Sequence, residues 1–217
     1  MIISIANLKG GSGKTTLAQN LAVCFTDDGQ SVCLIDTDSE SNVSLQWGSD
    51  RAEEGLPPVT VVATTEKTMA DDVLDKRSEF DVVIIDGTPA KFEFSSQTVL
   101  ASDVVVIPVI PSIGDVRVTN EFLKRYRQVK RLKDEKGWKM EACIVLNKYN
   151  ENQKMDREVR EHLSEYDVPV LETRLGHRVA YKEAMARGRG VIEYSDRKAK
   201  DEMAKLYAEI KAITLLV

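Results

Sequence analysis

Cysteine is scarce in this chain. Cys24, Cys33 and Cys143 are the three in 217 residues, and no pair has C-x-x-C spacing. That excludes a disulfide scaffold, suits a reducing cytoplasm and argues against a zinc or iron–sulfur site. Long apolar runs are missing too. The longest uncharged apolar stretch, Val104 to Ile113, is about half of the roughly 20 residues that a membrane-spanning helix needs. No basic segment precedes Ile2-Ile3-Ser4-Ile5, which argues against a secretory signal. His162 and His177 stand alone and neither reads as catalytic. There is no internal repeat and no low-complexity segment. What remains is ordinary globular composition, 42% hydrophobic and 30% charged, at a length that fits one domain.

Charge is unevenly spread. Residues 1–116 hold 18 acids and 7 bases, a net of −11, whereas residues 117–139 hold 9 bases and 3 acids, a net of +6. Residues 172–211 carry a further 10 bases against 7 acids. The overall charge of −5 would repel nucleic acid weakly, but binding responds to the local field.

Apolar strand-like runs alternate with helical stretches. Strands are expected at Ile2–Ala6, Ser31–Ile35, Val59–Val62, Asp81–Ile85, Asp103–Ile107 and Glu141–Leu146. Helices are expected at Thr15–Thr26, Lys67–Arg77, Ser95–Ala101, Val116–Lys136, Met155–Tyr166, Arg178–Arg187 and Asp196–Ile213. Several strands are continuous in Val and Ile, as strands buried on both faces are. The alternation predicts a doubly wound α/β domain with a mostly parallel sheet flanked by helices. Gly48–Pro58 reads as a surface loop. The three cysteines fall at apolar positions and read as core.

Ligands of such folds sit at the carboxyl ends of strands. After the first strand comes Lys9-Gly10-Gly11-Ser12-Gly13-Lys14-Thr15-Thr16, then a helix. Glycines let backbone N–H groups approach phosphate, and the helix dipole adds a favourable field. Lys14 would reach β- and γ-phosphates, and the Thr15 hydroxyl would ligate Mg²⁺. The second strand ends in Asp36-Thr37-Asp38, and residues two apart on an extended chain face the same way, so both carboxylates can face the phosphate site. The fourth strand ends in Asp86, placed to hold Mg²⁺ through water. Gly87, next to it, suits a mobile turn.

The pattern K-G-G-x-G-K-[ST]-[ST] at residues 9–16 is the deviant Walker A motif, and the chain resembles the ParA/MinD family of dimeric P-loop ATPases. The resemblance covers essentially the whole chain and is nearest to the small plasmid-partition ParA proteins, with no helix-turn-helix extension ahead of the first strand. It implies that Lys9 is the signature lysine, reaching across a dimer interface to the partner's nucleotide. It implies that Asp36 lies near the Mg²⁺ shell and that Asp38 is associated with the attacking water. Lys9, Lys14 and Asp38 are thus the expected catalytic residues. Ser39 and Glu40 stand where the family has Pro and Gln. Pro108–Asp115 resembles a segment that flanks the nucleotide and the dimer contact, though a stiff strand-to-helix connection accounts for it equally. Asn147 is expected beside adenine, with Lys148 either beside it or facing solvent.

The resemblance further implies ATP and Mg²⁺ as cofactors, a homodimer formed with ATP, nonspecific binding to nucleoid DNA, and a ParB-type centromere-binding partner. The function it implies is plasmid segregation in the cytoplasm, in association with the nucleoid. Arg127, Arg131, Arg174, Arg178, Lys182, Arg187 and Arg189 are the candidate DNA contacts. They read either as solvated helix faces or as a patch, and the excess of bases in 117–139 favours the patch. Positioning of a protein cargo is one alternative, membrane recruitment another, and a nucleotide-gated binding module with negligible turnover a third. The amphipathic C-terminal helix carries no base in its last six residues, so it reads as packed on the domain and no membrane is expected.

Overall fold

The computed structural model describes residues 1–38, 42–88, 92–150 and 152–217. Seven strands, β1 (Ile2–Ile5), β2 (Val32–Asp36), β3 (Thr60–Ala63), β4 (Val82–Asp86), β5 (Val104–Val109), β6 (Glu141–Tyr149) and β7 (Val170–Gly176), form one sheet in the order β3-β2-β4-β1-β5-β6-β7. Every neighbouring pair is parallel. The helices between them are α1 (Lys14–Asp27), α2 (Val43–Glu53), α3 (Met69–Glu79), α4 (Phe92–Ala101), α5 (Ile113–Glu135), α6 (Lys154–Leu163), α7 (Val179–Met185) and α8 (Arg197–Thr214). A short 3₁₀ turn, Val191–Glu193, precedes α8. No described helix is long and apolar enough to cross a membrane.

Side chains alternate across a strand, and the core divides accordingly. Ile3, Leu34, Ile84, Val106 and Val145 face one side and pack with α1, α7 and α8. Their neighbours face the other side, where α5 and α6 cover Val105 and Ile144, and α3 and α4 cover Ile35 and Ile85. The strands β1, β2, β4 and β5 are buried along their whole lengths. Cys24, Cys33 and Cys143 are free and buried, and burial pushes each thiol up to about 12. α8 buries Ala199, Met203, Leu206 and Ile210 in this core, as its amphipathic spacing predicts.

Two elements depart from the sequence reading. α2 occupies Val43–Glu53 and takes in the first part of the expected Gly48–Pro58 loop. Gly48 sits inside it because α2 packs tightly on β3: a Cβ there would lie 2.7 Å from Val61. β7 is an unforeseen strand at the sheet edge, with only Leu171 and Leu175 fully buried. Polar residues alternate along it too weakly to mark it as a strand.

α2 is fastened by a buried arginine. Arg51, 1% exposed, donates to Glu193 through Nη1 at 2.8 Å and Nη2 at 2.9 Å, to Gly188 O at 3.0 Å and to Pro57 O at 2.7 Å. Removing one partner of such a pair leaves an uncompensated buried charge, so Arg51→Ala is expected to cost about 3–5 kcal/mol in urea unfolding. Arg189→Ala, which opens the more exposed pair with Glu54, is expected to cost about 1 kcal/mol or less.

Candidate functional site

The loop from Asn7 to Gly13 joins β1 to α1. Gly11 and Gly13 hold φ of +72° and +95°, the left-handed region that glycine enters freely. Gly13 has a second reason: a Cβ there would lie 2.1 Å from Asn147 Nδ2. α1 starts at Lys14 with no side-chain cap, so its first N–H groups are left for a ligand. Ser12 is buried and its Oγ has no hydrogen-bond partner. Lys14 is also buried, and its Nζ donates to Lys9 O at 2.9 Å. Burial lowers the ammonium to about 8, partly offset by the nearby Asp86 carboxylate.

The loop is braced by neighbours distant in sequence. Asn7, buried, donates to Pro108 O at 2.9 Å and Thr119 Oγ1 at 3.3 Å, and its Oδ1 accepts from Lys9 N at 3.2 Å. From the other side, Asn147 Nδ2 donates to Ser12 O at 2.7 Å and Lys148 Nζ to Gly11 O at 3.2 Å. Register shifts in the β6–β7 pairing and φ of +55° at Lys148 turn these side chains onto the loop. Asn147, expected beside adenine, therefore has its amide committed to the phosphate-type loop.

Asp36 and Asp86 lie opposite each other across β2 and β4. They share the strand parity of Leu34 and Ile84, so both carboxylates point to the α1 side, where the loop sits. Asp36 accepts from Asp38 N at 2.9 Å and Ser44 N at 3.1 Å, so its two oxygens tie the end of β2 to the first turn of α2. Asp86 receives hydroxyl hydrogen bonds from Thr15 and from Ser44 at 3.4 Å, while its Oδ1 has no partner among the described residues. Burial, with a smaller push from Asp36, raises Asp86 to about 7, and burial raises Asp36 as well. Thr37 staples the two carboxylate loops: its Oγ1 donates to Asp86 O at 2.6 Å and accepts from Thr88 N at 2.8 Å. Gly87 is a glycine for room rather than mobility, because a Cβ would lie 2.6 Å from Ile5 O. Ser39 and Glu40 lie outside the described residues.

These groups surround one cleft of about 380 Å³. Gly11, Gly13, Lys14, Thr15, Thr16, Asp38, Asp86 and Asn147 line it. Gly10 is exposed at the loop tip and Lys9 is half-buried beside it, both outside the lining. An anion fits the unclaimed N–H groups and Lys14. A divalent cation fits Asp86 Oδ1 and Thr15, with the remaining coordination left to phosphate and water, as Mg²⁺ prefers. No three acidic, histidine or cysteine side chains converge as a ready metal cage among the described residues.

The expected DNA contacts do not form one surface. Arg178 and Lys182 line the cleft instead, along with His177. Arg127 is bound to Asp167, Arg178 to Glu202 and Arg189 to Glu54. Arg174 lies over the Tyr149 ring, 4.9 Å from its centroid. Arg131 and Arg187 are exposed and have no ion pair among the described residues. They stand on α5 and just after α7, and those helices cover opposite faces of the sheet. Sequence reasoning missed Asn7, Thr37, Ser44 and His177 as site residues; Asn7, next to the motif, is the one with a local signal.

Residues 3–191 match the model of the CobQ/CobB/MinD/ParA nucleotide binding domain. The chain is 27% identical over 213 residues to maintenance of carboxysome distribution protein A of Halothiobacillus neapolitanus, covering 96% of this chain and 95% of that protein. In structure it is similar to apo McdA of Cyanothece, with a TM-score of 0.78, 17% identity and coverage of 96% of this chain and 98% of that one. It is also similar to the septum site-determining protein MinD of Pyrococcus horikoshii complexed with Mg-ADP, with a TM-score of 0.71, 18% identity and coverage of 96% and 95%. At these identities the structural likenesses speak to the fold.

The raised carboxyl of Asp86 has a consequence for stability. The unfolded chain releases this proton near pH 4, whereas the folded chain holds it to about 7. In the ligand-free protein its contribution therefore falls as pH rises through that window. Asp86→Asn removes the penalty and keeps an acceptor for the hydroxyls of Thr15 and Ser44. The melting temperature of Asp86→Asn minus that of the wild type is expected to grow between pH 4 and 7 and to level off above. A constant difference across that range would contradict the assignment.

Proposed function

Because the chain belongs to the CobQ/CobB/MinD/ParA nucleotide-binding family, we propose that it is a Mg²⁺-dependent ATPase of the ParA type, which positions cargo through a nucleotide-gated dimer. The observation that carries this is the glycine loop holding Lys14 beside buried Asp86, which faces Asp36 across the strands, with Lys9 on the same loop outside the cleft.

In this reading the backbone N–H groups of residues 10–16 and Lys14 hold the phosphates. Thr15 and Asp86 hold the metal, and Asp36 fixes the loop beside it. Bound Mg²⁺ supplies positive charge where phosphoryl transfer builds negative charge. Asp38, in the cleft lining, orients the attacking water. Lys14 moves from Lys9 O to phosphate, which exchanges a neutral partner for an anion and favours the charged ammonium further. Lys9 stays out of its own cleft and serves the partner's, where an added cation stabilises developing charge. ATP binding would thus assemble a homodimer, and hydrolysis would release it.

Two kinds of cargo fit this reading. DNA cargo, with a ParB-type centromere-binding partner and nonspecific nucleoid DNA as the track, follows the small partition ATPases. Arg131 and Arg187, both exposed, are then the DNA contacts, and a continuous surface needs the dimer to bring the two faces together. A protein cargo is the second reading, favoured by the full-length likeness to the carboxysome distribution protein. Either reading places the protein in the cytoplasm on the nucleoid.

Binding to unrelated duplex DNA with ATP, ADP and no nucleotide, across a salt series, tests the shared mechanism. Binding only with ATP is expected. If about five phosphates are contacted, affinity falls about 500-fold between 50 and 200 mM salt. Lys14→Ala is expected to abolish ATP-dependent binding, and its retention would sink the mechanism. Lys9→Ala is expected to keep nucleotide binding and lose the dimer by light scattering.

A further inference from the structure

The cleft runs past Asn147 to the start of α7, where Gly176, Arg178 and Tyr181 line it. The sheet order gives a ligand a direction. Asp86 and the glycine loop belong to β4 and β1, while β6 and β7 lie two and three places beyond β1. At about 4.8 Å per strand, that end is roughly 10–14 Å away. A nucleotide with its phosphates on the loop therefore points its base toward β7.

Arg178 is held there in a defined pose. Its Nε donates to Glu202 Oε2 at 3.0 Å, its Nη2 donates to Glu202 Oε1, and Gly176 N donates to the same carboxylate at 3.1 Å. A Cβ on Gly176 would lie 3.2 Å from Nη2 and 3.3 Å from both Cζ and Nε. A point nearly equidistant from three atoms of a planar group, at more than twice its bond lengths, lies over the face. The guanidinium is therefore flat against Gly176, with one edge locked to Glu202. Gly176 has no left-handed φ, so its missing side chain makes room for that plane. The carboxylate neutralises the cation, which weakens it as a phosphate ligand and leaves its planar surface for stacking. Tyr181, 7% exposed, lines the same end, and its hydroxyl has no hydrogen-bond partner among the described residues.

We propose that Arg178, clamped by Glu202 over Gly176, is the platform on which the base of the bound nucleotide stacks, with the Tyr181 hydroxyl as a polar contact to the nucleoside. This rests on the nucleotide reading above. It assigns to base recognition an arginine that the sequence alone offers to DNA.

Calorimetric titration of the full chain with Mg-ATP and with Mg-tripolyphosphate, which has no base, separates the two readings. Arg178→Ala and the charge-conserving Arg178→Lys are each expected to weaken ATP about ten-fold and to leave tripolyphosphate within two-fold. Arg178→Trp restores a flat surface and is expected to recover most of the loss. Tyr181→Phe is expected to weaken ATP by a few-fold and spare tripolyphosphate. Equal losses for both ligands, or full ATP affinity in Arg178→Lys, would overturn the platform. A wild-type protein that binds neither ligand would instead overturn the nucleotide reading itself.

Discussion

Seven strands running one way put every carboxyl end along a single edge of the sheet, and the rest of the site depends on that constraint. Parallel pairing forces each connection to cross the sheet through a helix, so each strand hands its last residue to a loop at the same edge. β1 delivers the glycine loop, β2 delivers Asp36, β4 delivers Asp86, and β6 delivers Asn147. Register then does the fine placement. Asp36 faces Asp86 across one pair of strands, and strand parity turns both toward the helix that the loop begins.

That convergence is unfavourable in isolation. Two carboxylates and an ammonium share a buried corner, and burial pushes each toward its neutral form. A hydrophobic core of Val and Ile on both faces of the sheet supports this local cost. The same desolvation strengthens any interaction with a bound anion or cation, because less water competes for the charges. The site is thus preorganised for charge that comes from outside the chain. Its brace is polar and neutral: Asn7, Thr37, Ser44 and Asn147 use amides and hydroxyls to fix the loops without adding charge.

The part of the site that was legible in sequence is local. Lys9 to Thr16 is one contiguous segment whose glycines, lysines and helix start lie side by side, so spacing alone reveals it. Asp36 and Asp86 were legible because each closes an unbroken apolar strand. Thr37 looks like one turn residue among several, and its partner Thr88 lies 51 positions on. β7 escaped notice because an edge strand buries few side chains and needs little apolar pattern. α2 escaped notice because its Ser, Gly and Asp are weak helix formers, and its stability comes from Trp47 in the core and from Arg51. Positive charge misled most. Arg127, Arg178 and Arg189 read as a patch, yet each has an acidic partner 24 to 135 positions away that only the fold brings near.

α2 also ties the site to the far end of the chain. Its first turn donates to the carboxylate of Asp36 through Ser44 N, and its last turn carries Arg51 into Glu193, Gly188 and Pro57. Trp47 donates to Arg189 O at 3.3 Å midway along. Asn20 on α1 reaches the same region, taking Val191 N at 2.7 Å. Both ends of α2 are therefore hydrogen-bonded and its middle is packed, which fastens the Asp36 side of the cleft to the turn before α8, the element that also supplies Glu202 to Arg178.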